Sequence, residues 1–298
     1  MKFQSLNKLM SISALIAFLF LHADRINAQK FWLTTYSFPG GPKIAITLDR
    51  HNCLIVALPS QIIRSCDDGI TWDSTLSSTF LHTLFTSRSG RIFAGGSGKI
   101  FYSDDSGIRW DSVSFNHTYP FTRLIQNVNG DLFAITGTLD SSLGYVGAGV
   151  YYSPDNGASW IQRNQGLGPY LSCEQISHDR KGRLYLAVAD ELVSGNAGLF
   201  YSEDSGQKWQ QVSVEIDGKN VIDDKIKIGN TYSLSVSPDD TLLLSLTGTA
   251  VNVGVALNIR KSVNDILKNT RWKVGTVSNT STWWNDRLLN NIHFAKNG

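Results

Sequence analysis

The stretch that decides the fold is KIFYSDDSGIRW, residues 99–110, because most of it occurs again further along the chain. It returns as GVYYSPDNGASW at 149–160 and as GLFYSEDSGQKW at 198–209. A shorter copy, SCDDGITW, stands at 65–72, so four segments obey the pattern Ser-x-Asp-x-Gly-x-x-Trp in register. Such self-similarity in a chain of 298 residues indicates a repeat architecture, which has to be recognised before any other fold prediction.

Short apolar segments surround every copy at regular positions. One ends in a tight turn, a second follows that turn, a third runs into the copy, and a fourth follows its tryptophan. Successive tryptophans are 38, 50 and 49 residues apart, and a degenerate fifth copy, SVNDILKNTRW, occupies 262–272. Four antiparallel strands, named A to D, per repeat of this length predict a β-propeller blade. We therefore expect an all-β chain of four-stranded antiparallel blades, with five blades visible and parts of a further one.

These motifs resemble the Asp-box, or bacterial neuraminidase repeat (BNR). That family includes sialidases, sortilin-type receptors, xyloglucanase-type glycosidases and photosystem-assembly-factor-type propellers. The resemblance extends over nearly the whole chain after its N-terminal segment. It implies a β-propeller, but it implies no single activity because the motif recurs in proteins with unrelated functions.

The recurring residues have a structural interpretation. Asp and Ser side chains accept backbone N–H groups inside tight turns, Gly adopts a positive φ at low cost, and Trp covers the hairpin. The phrase lacks the alternating acidic ligands and the closing Glu of a calcium loop, so we predict no metal. We assign this structural role to Ser65, Asp67, Gly69, Trp72, Ser103, Asp105, Gly107, Trp110, Ser153, Asp155, Gly157, Trp160, Ser202, Asp204, Gly206 and Trp209.

The N-terminal 28 residues have the pattern of a secretory signal peptide. Lys2 and Lys8 precede an apolar run at 9–21 that is too short to span a bilayer, and Ala28 ends the segment. We expect cleavage after Ala28 and a secreted, periplasmic or extracellular protein. No later segment is apolar enough to cross a membrane.

The remainder, residues 29–298, is expected to be one propeller domain. Residues 30–38 look like an isolated strand D, and the chain stops at Asn297-Gly298, which looks like the turn after a strand A. We therefore expect a C-terminally truncated sequence or an open ring, with six to eight blades in the complete protein.

Removing the four charged residues of the signal peptide leaves 24 basic and 24 acidic residues. This balance gives no electrostatic case for a nucleic acid or an anionic membrane as partner.

The cysteines suggest a cross-link in the first unit. Cys53 and Cys66 occupy positions at which two other units carry residues of opposite charge. Those pairs are Arg91 with Asp104 and Arg183 with Glu203. We hypothesise that the two positions face each other across a hairpin, as a Cys53–Cys66 disulfide in one unit and as ion pairs in the others.

Candidate ligand residues follow from the repeat. Counting back from each strand B marks the polar residues at the mouth of the central channel, although an ordinary solvated mouth would look similar. These residues are His82, Arg123, Glu174 with Gln175, and Tyr232. The aromatic pair Trp283 and Trp284 in a later connection could stack on a sugar or fill a partner's pocket, or pack against a neighbouring blade. No cofactor is expected, and the oligomeric state is left open.

Two functions remain after this count. Sialidase-type catalysis requires an arginine triad, a Tyr nucleophile with a Glu partner and an acidic residue, and the resemblance assigns such roles to Arg123, Tyr232 and Glu174. Two further arginines are absent from equivalent positions, and PKIA at 42–45 replaces the usual Arg-Ile-Pro phrase. We therefore favour a non-catalytic binding or assembly module for a carbohydrate or an extracytoplasmic protein. A sialidase-like glycoside hydrolase is the alternative.

Overall fold

A computed structural model of the chain describes residues 45–78, 80–169, 171–189, 198–212, 215–216, 219–220, 228–237, 240–248, 256–262 and 273–276. Within these ranges all regular structure is β-strand, and every strand pairing is antiparallel. A search of the same ranges finds no helix with the length and apolar character needed to span a bilayer. The segments expected to hold the signal peptide, the isolated strand D and the C-terminal turn lie outside the described residues.

Three four-stranded sheets occupy the first half of the described chain. Blade 1 contains β1 (Ala45–Leu48), β2 (Leu54–Leu58), β3 (Gln61–Ser65) and β4 (Asp73–Ser77). Blade 2 contains β5 (Thr83–Thr86), β6 (Ile92–Gly95), β7 (Lys99–Ser103) and β8 (Asp111–Ser114). Blade 3 contains β9 (Phe121–Gln126), β10 (Leu132–Thr136), β13 (Val150–Ser153) and β14 (Ile161–Gln162), and a hairpin of β11 (Thr138–Asp140) and β12 (Gly144–Val146) connects β10 to β13.

Two further sheets of the same order follow. Blade 4 contains β15 (Ser172–His178), β16 (Leu184–Ala189), β17 (Gly198–Ser202) and β18 (Gln210–Val212). After a short ribbon of β19 (Glu215–Ile216) and β20 (Lys219–Asn220), blade 5 contains β21 (Ile228–Val236), β22 (Thr241–Gly248), β23 (Ala256–Ser262) and β24 (Lys273–Thr276). The predicted all-β fold of four-stranded antiparallel blades is confirmed.

The apolar core lies between adjacent blades. Strand B is almost wholly buried in blades 1 to 4 because neighbouring blades pack on both of its faces, whereas the strands D of the same blades are largely exposed. One cluster joins Phe133 and Val150 of blade 3 to Leu186 and Phe200 of blade 4. Equivalent clusters join blade 1 to blade 2 and blade 2 to blade 3.

Each blade has two chemically different ends. Because its strands are antiparallel and consecutive, the A–B and C–D turns lie at one end, and the B–C and D–A connections lie at the other. We call these ends the turn face and the connection face. On the connection face, Leu81 N donates to Pro59 O and Phe121 N donates to Gly96 O, so each D–A connection is bonded to the preceding blade's B–C connection.

Candidate functional site

The Ser-x-Asp-x-Gly-x-x-Trp segments form C–D turns on the turn face. In blade 2, Ser103 Oγ donates to Asp105 Oδ1 over 2.9 Å, and Ser103 Oγ accepts from Gly107 N at 2.9 Å. Asp105 Oδ1 also accepts from Arg109 N at 2.8 Å, and Trp110 Nε1 donates to Gly107 O over 3.1 Å. Every polar group of the motif therefore has a partner inside its own turn.

The other three copies repeat the Ser–Asp and Gly–Ser bonds at 2.7 to 2.9 Å. The tryptophans differ. Trp72 Nε1 donates to Gly69 O, whereas Trp209 Nε1 donates to Arg163 O of the preceding blade, and Trp160 Nε1 is buried without a hydrogen-bond partner. Hydrogen bonds from the Thr71 side chain and backbone lower the pKa of Asp67 to about 2. These aspartates are thus occupied as ionised turn acceptors.

Arginines connect the C–D turns of blades 2, 3 and 4 to the preceding blade. In these turns the residue between the Asp and the Gly has a positive φ, at Ser106 (63°), Asn156 (54°) and Ser205 (56°), and its carbonyl accepts a hydrogen bond from an arginine. Arg64 Nε donates to Ser106 O over 2.8 Å, and Arg91 donates to Asn156 O over 3.0 Å. Arg163 donates to Ser205 O over 2.5 Å. The turn face is therefore cross-linked from blade to blade by its own side chains.

A second repeated turn closes strands A and B, and the sequence predicted this turn but not the buried polar residue that begins it. Its first residue is a buried polar side chain in all five blades: Asp49, Ser87, Asn127, Asp179 and Ser237. Asp49 Oδ1 accepts from His51 N at 2.7 Å and Cys53 N at 2.8 Å, and Asn127 and Asp179 repeat this pattern. The signal was available, because an Asp, Asn or Ser stands four or five residues before the first residue of every strand B.

One juxtaposition on the turn face has the composition of a catalytic triad but not its geometry. His51 Nδ1 lies 3.2 Å from Ser106 Oγ and 3.7 Å from Asp49 Oδ2. A Ser–His–Asp triad binds its serine and its aspartate through opposite ring nitrogens. Here both contacts use Nδ1, so the histidine cannot relay a proton between them.

The two positions expected to face each other across the B–C hairpin, which hold Cys53 and Cys66 in blade 1, carry a different interaction in each of blades 1, 2 and 4. Cys53 and Cys66 form a disulfide with a sulfur–sulfur distance of 2.03 Å across 13 residues of sequence. Arg91 binds Asp104 through two hydrogen bonds of 2.6 and 2.8 Å. Arg183 does not pair with Glu203, contrary to the expectation. It binds the A–B turn residue Asp179, whose buried carboxylate lies 2.5 Å from Nε, because that turn places an acid closer than the C–D turn does.

Of the residues predicted to line the channel mouth, the structure brings together Arg123 of β9 and Gln175 of β15. The Arg123 guanidinium donates to the Gln175 side-chain oxygen across the junction between blades 3 and 4. Burial lowers the pKa of Arg123, and no carboxylate among the described residues forms an ion pair with it. Glu174, by contrast, is the extra residue of a β-bulge, where the β15–β16 register shifts between Cys173 and Gln175.

The remaining candidates contribute less to this site. His82 precedes β5, its backbone N–H donates to Gly95 O over 2.8 Å, and its ring Nε2 is buried without a hydrogen-bond partner. Tyr232 lies on the backbone of β21. Trp283 and Trp284 lie outside the described residues. No cluster of three or more His, Cys, Asp or Glu side chains suited to a metal ion occurs in the described part of the chain.

Comparison with known proteins places the chain among β-propellers. No family model matches the sequence, and no curated protein sequence is significantly similar to it. Among solved structures, an ancestral GH74 enzyme superposes with a TM-score of 0.58 at 16% identity, over 79% of this chain and 31% of that one. The extracellular domain of a protein from B. thetaiotaomicron, described as a hybrid two component system, gives a TM-score of 0.56 at 14% identity, over 82% of this chain and 32% of that one.

A third neighbour is YCF48, solved bound to a D1 peptide. It superposes with a TM-score of 0.50 at 13% identity, over 78% of this chain and 66% of that one. The chain therefore spans about a third of the length of the first two neighbours and about two thirds of the third. At these identities the likeness shows the propeller fold alone.

Proposed function

We propose that the protein is an exported Asp-box β-propeller that binds a carbohydrate or an extracytoplasmic protein at its connection face without catalysing a reaction. The observation that carries this proposal is the state of Arg123. Arg123 is only partly exposed at the predicted channel mouth, and the hydrogen-bond partner of its guanidinium is the neutral amide of Gln175. A buried cation is costly unless an anion or a full set of acceptors compensates it. An acidic group on a ligand would supply that compensation.

The turn face supports the same conclusion by contrast. The Ser and Asp side chains of its C–D turns are bonded within their own turns, and its arginines Arg64 and Arg91 are bonded to adjacent blades. These groups have little bonding capacity left for a ligand. The connection face is therefore the better candidate for recognition, as in other ligand-binding folds where the function lies on variable connections.

The family and the location are parts of the proposal. The repeated Ser–Asp–Gly–Trp bonds support membership of the Asp-box group. The N-terminal signal-peptide pattern supports export, and one structural neighbour is itself an extracellular domain. The neighbours include an enzyme named for a glycoside hydrolase family and a protein bound to a peptide, so both ligand classes are retained.

Sialidase-like hydrolysis is the second candidate. Arg123, Glu174 and Tyr232 lie on β9, β15 and β21, which are the strands A of three consecutive blades. That placement is compatible with convergence at one mouth. It is weakened because Arg123 is the only arginine at the predicted mouth positions, whereas the sialidase mechanism requires three.

Binding of acidic ligands tests the proposal. We would titrate the protein with glucuronate, N-acetylneuraminate, neutral glucose and a short peptide with a free C-terminal carboxylate, using calorimetry or chemical-shift perturbation. Arg123→Ala should weaken binding of the acidic ligand that is recognised by about tenfold or more, because hydrogen bonds to charged groups contribute about 1.5–3 kcal/mol. Arg109→Ala, an exposed arginine on the turn face, is the matched control and should change the affinity less than twofold.

Two results would contradict the proposal. Acidic ligands that bind equally well to wild type and Arg123→Ala would remove Arg123 from the site. Hydrolysis of a fluorogenic sialoside that is abolished in Tyr232→Phe would instead establish the enzymatic alternative.

A further inference from the structure

Two histidines occupy corresponding places on either side of blade 2. His82 lies in the connection that leads from blade 1 into β5, and His117 lies in the connection that leads from β8 into β9. Both connections belong to the connection face, and both are bonded to the preceding B–C connection. Gly98 N donates to Tyr119 O over 3.0 Å, and Phe115 N donates to Gly98 O over 2.9 Å.

The His117 ring is enclosed by aromatic side chains. It stacks on Tyr119 at 5.6 Å between ring centroids, and it lies 5.8 Å from Phe115, 5.4 Å from Phe121 and 5.6 Å from Tyr151. Both ring nitrogens are buried, and neither has a hydrogen-bond partner. The cage therefore suits a neutral imidazole, since its walls are aromatic and the Tyr119 backbone offsets only part of the effect of burial on a protonated ring.

The backbone of His117 also packs closely against Gly98 of the B–C connection in blade 2. The carbonyl of His117 lies so close to Gly98 that a Cβ there would approach within 2.1 Å. Because residues 115 to 119 wrap around Gly98 in this way, displacement of the His117 ring would also disturb the two backbone bonds to Gly98. The position of one ring is thus coupled to the order of the whole connection.

His82 resembles His117, but only one of its ring nitrogens is buried without a partner. Its ring Nε2 is buried without a hydrogen-bond partner, and burial lowers its pKa. Burial lowers the pKa of His117 as well, with a smaller opposing influence from the Tyr119 backbone. A protonated imidazole needs acceptors or water for both N–H groups, so each ring has to leave its buried place in order to be charged comfortably.

The groups that face these rings do not offset this effect. The titratable neighbours of His117 are the phenols of Tyr119 and Tyr151, which stay neutral in acid. Lys99 on the neighbouring strand β7 is exposed and would disfavour a second positive charge. Within the described part of the chain, the backbone of Gly95 and the strand β5 flank His82, and neither ring is paired with a carboxylate.

We propose that the two connections flanking blade 2 form an acid-sensitive element, in which protonation of His82 and His117 releases the connections while the turn face stays ordered. If the proposed function is correct, acidification would then weaken ligand binding at the channel mouth. The opening itself does not depend on that function, because it concerns the order of the protein alone.

The sign follows from linkage. A histidine whose folded-state pKa is depressed binds its proton preferentially in the opened state. The closed connection is therefore fully favoured above the ordinary histidine pKa of about 6.5 and loses stability as the pH falls from there to the folded-state pKa. Each histidine can raise the opening equilibrium by at most about tenfold per pH unit over that window.

Hydrogen exchange measured by mass spectrometry tests the proposal on the full chain. Peptides covering 80–86 and 113–120 report the two connections, and a peptide covering 103–110 reports the turn face. After correction for the intrinsic pH dependence of exchange, both connections should open up to about tenfold more per pH unit below about pH 6.5, while the turn segment stays constant. This readout needs no ligand, so a failed ligand screen and a failed acid response remain distinguishable.

Variants assign the effect to the two rings. His117→Phe keeps an aromatic ring in the cage and should abolish the acid response at 113–120, and His82→Met should abolish it at 80–86. His51→Asn is the matched control, since the His51 side chain is 75% exposed on the turn face, and it should leave both responses unchanged.

Two outcomes would overturn the proposal. One is an acid response at the connections that equals the response of the 103–110 segment. The other is a response that persists in the double variant His82→Met/His117→Phe. Should that variant fail to fold, imidazole resonances of the wild-type protein decide the matter, because titration of both buried rings at the ordinary value of about 6.5 would also overturn it.

Discussion

The turn face and the connection face are built by the same blades but use their polar side chains differently. On the turn face, one set of Ser–Asp–Gly bonds is repeated four times, and a second polar turn is repeated in all five blades. On the connection face, the structure of the connection differs from blade to blade: blade 3 has the β11–β12 hairpin, and the connection after blade 2 has the aromatic cage around His117. Repetition thus marks the chemistry that builds the fold.

Both faces hold buried polar atoms without a hydrogen-bond partner, and on the turn face these include Asn156 Oδ1 and Trp160 Nε1, but the faces differ in how their charged and titratable groups are compensated. The turn-face carboxylates accept several N–H and O–H bonds each, as Asp67 and Asp105 do. The connection face holds the partly exposed Arg123 with a neutral partner, and two partly exposed histidine rings with buried nitrogens that lack a hydrogen-bond partner. Since buried polar groups are normally satisfied, such exceptions point to a ligand or a switch. The following predictions test this division.

The largest loss of folding stability is expected on replacing the motif tryptophan that is most buried. Trp209 is 2% exposed and belongs to the core between blades 3 and 4, so Trp209→Ala should lower the free energy of unfolding by about 3–5 kcal/mol. Trp72 has the same place in blade 1 but is only partly buried, and Trp72→Ala should cost clearly less. Urea denaturation followed by circular dichroism measures both, and equal losses would show that the blades do not differ in this way.

A smaller effect is expected from the paired positions on blades 1 and 2. The double variant Cys53→Ser/Cys66→Ser should lose about 2–4 kcal/mol, because the cross-link restricts the unfolded chain. At the matching pair, Asp104→Asn should cost only about 0.2–1 kcal/mol, since Asp104 is 61% exposed and its ion pair with Arg91 is screened by water. A disulfide variant as stable as wild type in denaturant titration would contradict the first value.

The smallest effect concerns acid. The pKa of Asp67 is lowered to about 2, so its ionised form favours the folded state above the ordinary carboxylate range, and this contribution is lost as the pH falls from about 4 through about 2. Asp67→Asn should make unfolding less steep over that window, as followed by tryptophan fluorescence. Asp111→Asn, an exposed carboxylate at the start of β8, is the control. Identical acid profiles for wild type and Asp67→Asn would contradict the assignment.

The blade pattern could be predicted because its signals are local. A turn formed by Ser103, Asp105 and Gly107 depends on residues within eight positions of one another, and strand alternation reads directly from the sequence. The A–B turn was equally local and its position was predicted, but its buried first residue was missed because Asp, Asn and Ser share that position and hide the repeat. Partners across blades could not be predicted in this way, since Arg64 bonds to Ser106 in the next blade. Within blade 4, the preference of Arg183 for Asp179 over Glu203 likewise depends on the folded geometry of the two turns.

The sequence by itself determined the all-β class, the four-stranded unit and the position of each C–D turn, because those features follow from short-range hydrogen bonding and strand periodicity. Only the tertiary structure decided that Arg123 meets Gln175 and that four aromatic rings enclose His117. The physical reason is that burial and electrostatic compensation depend on what neighbouring blades place around a side chain. The sequence names the side chain, but the packing of adjacent blades decides whether it is paired, exposed or left without a partner.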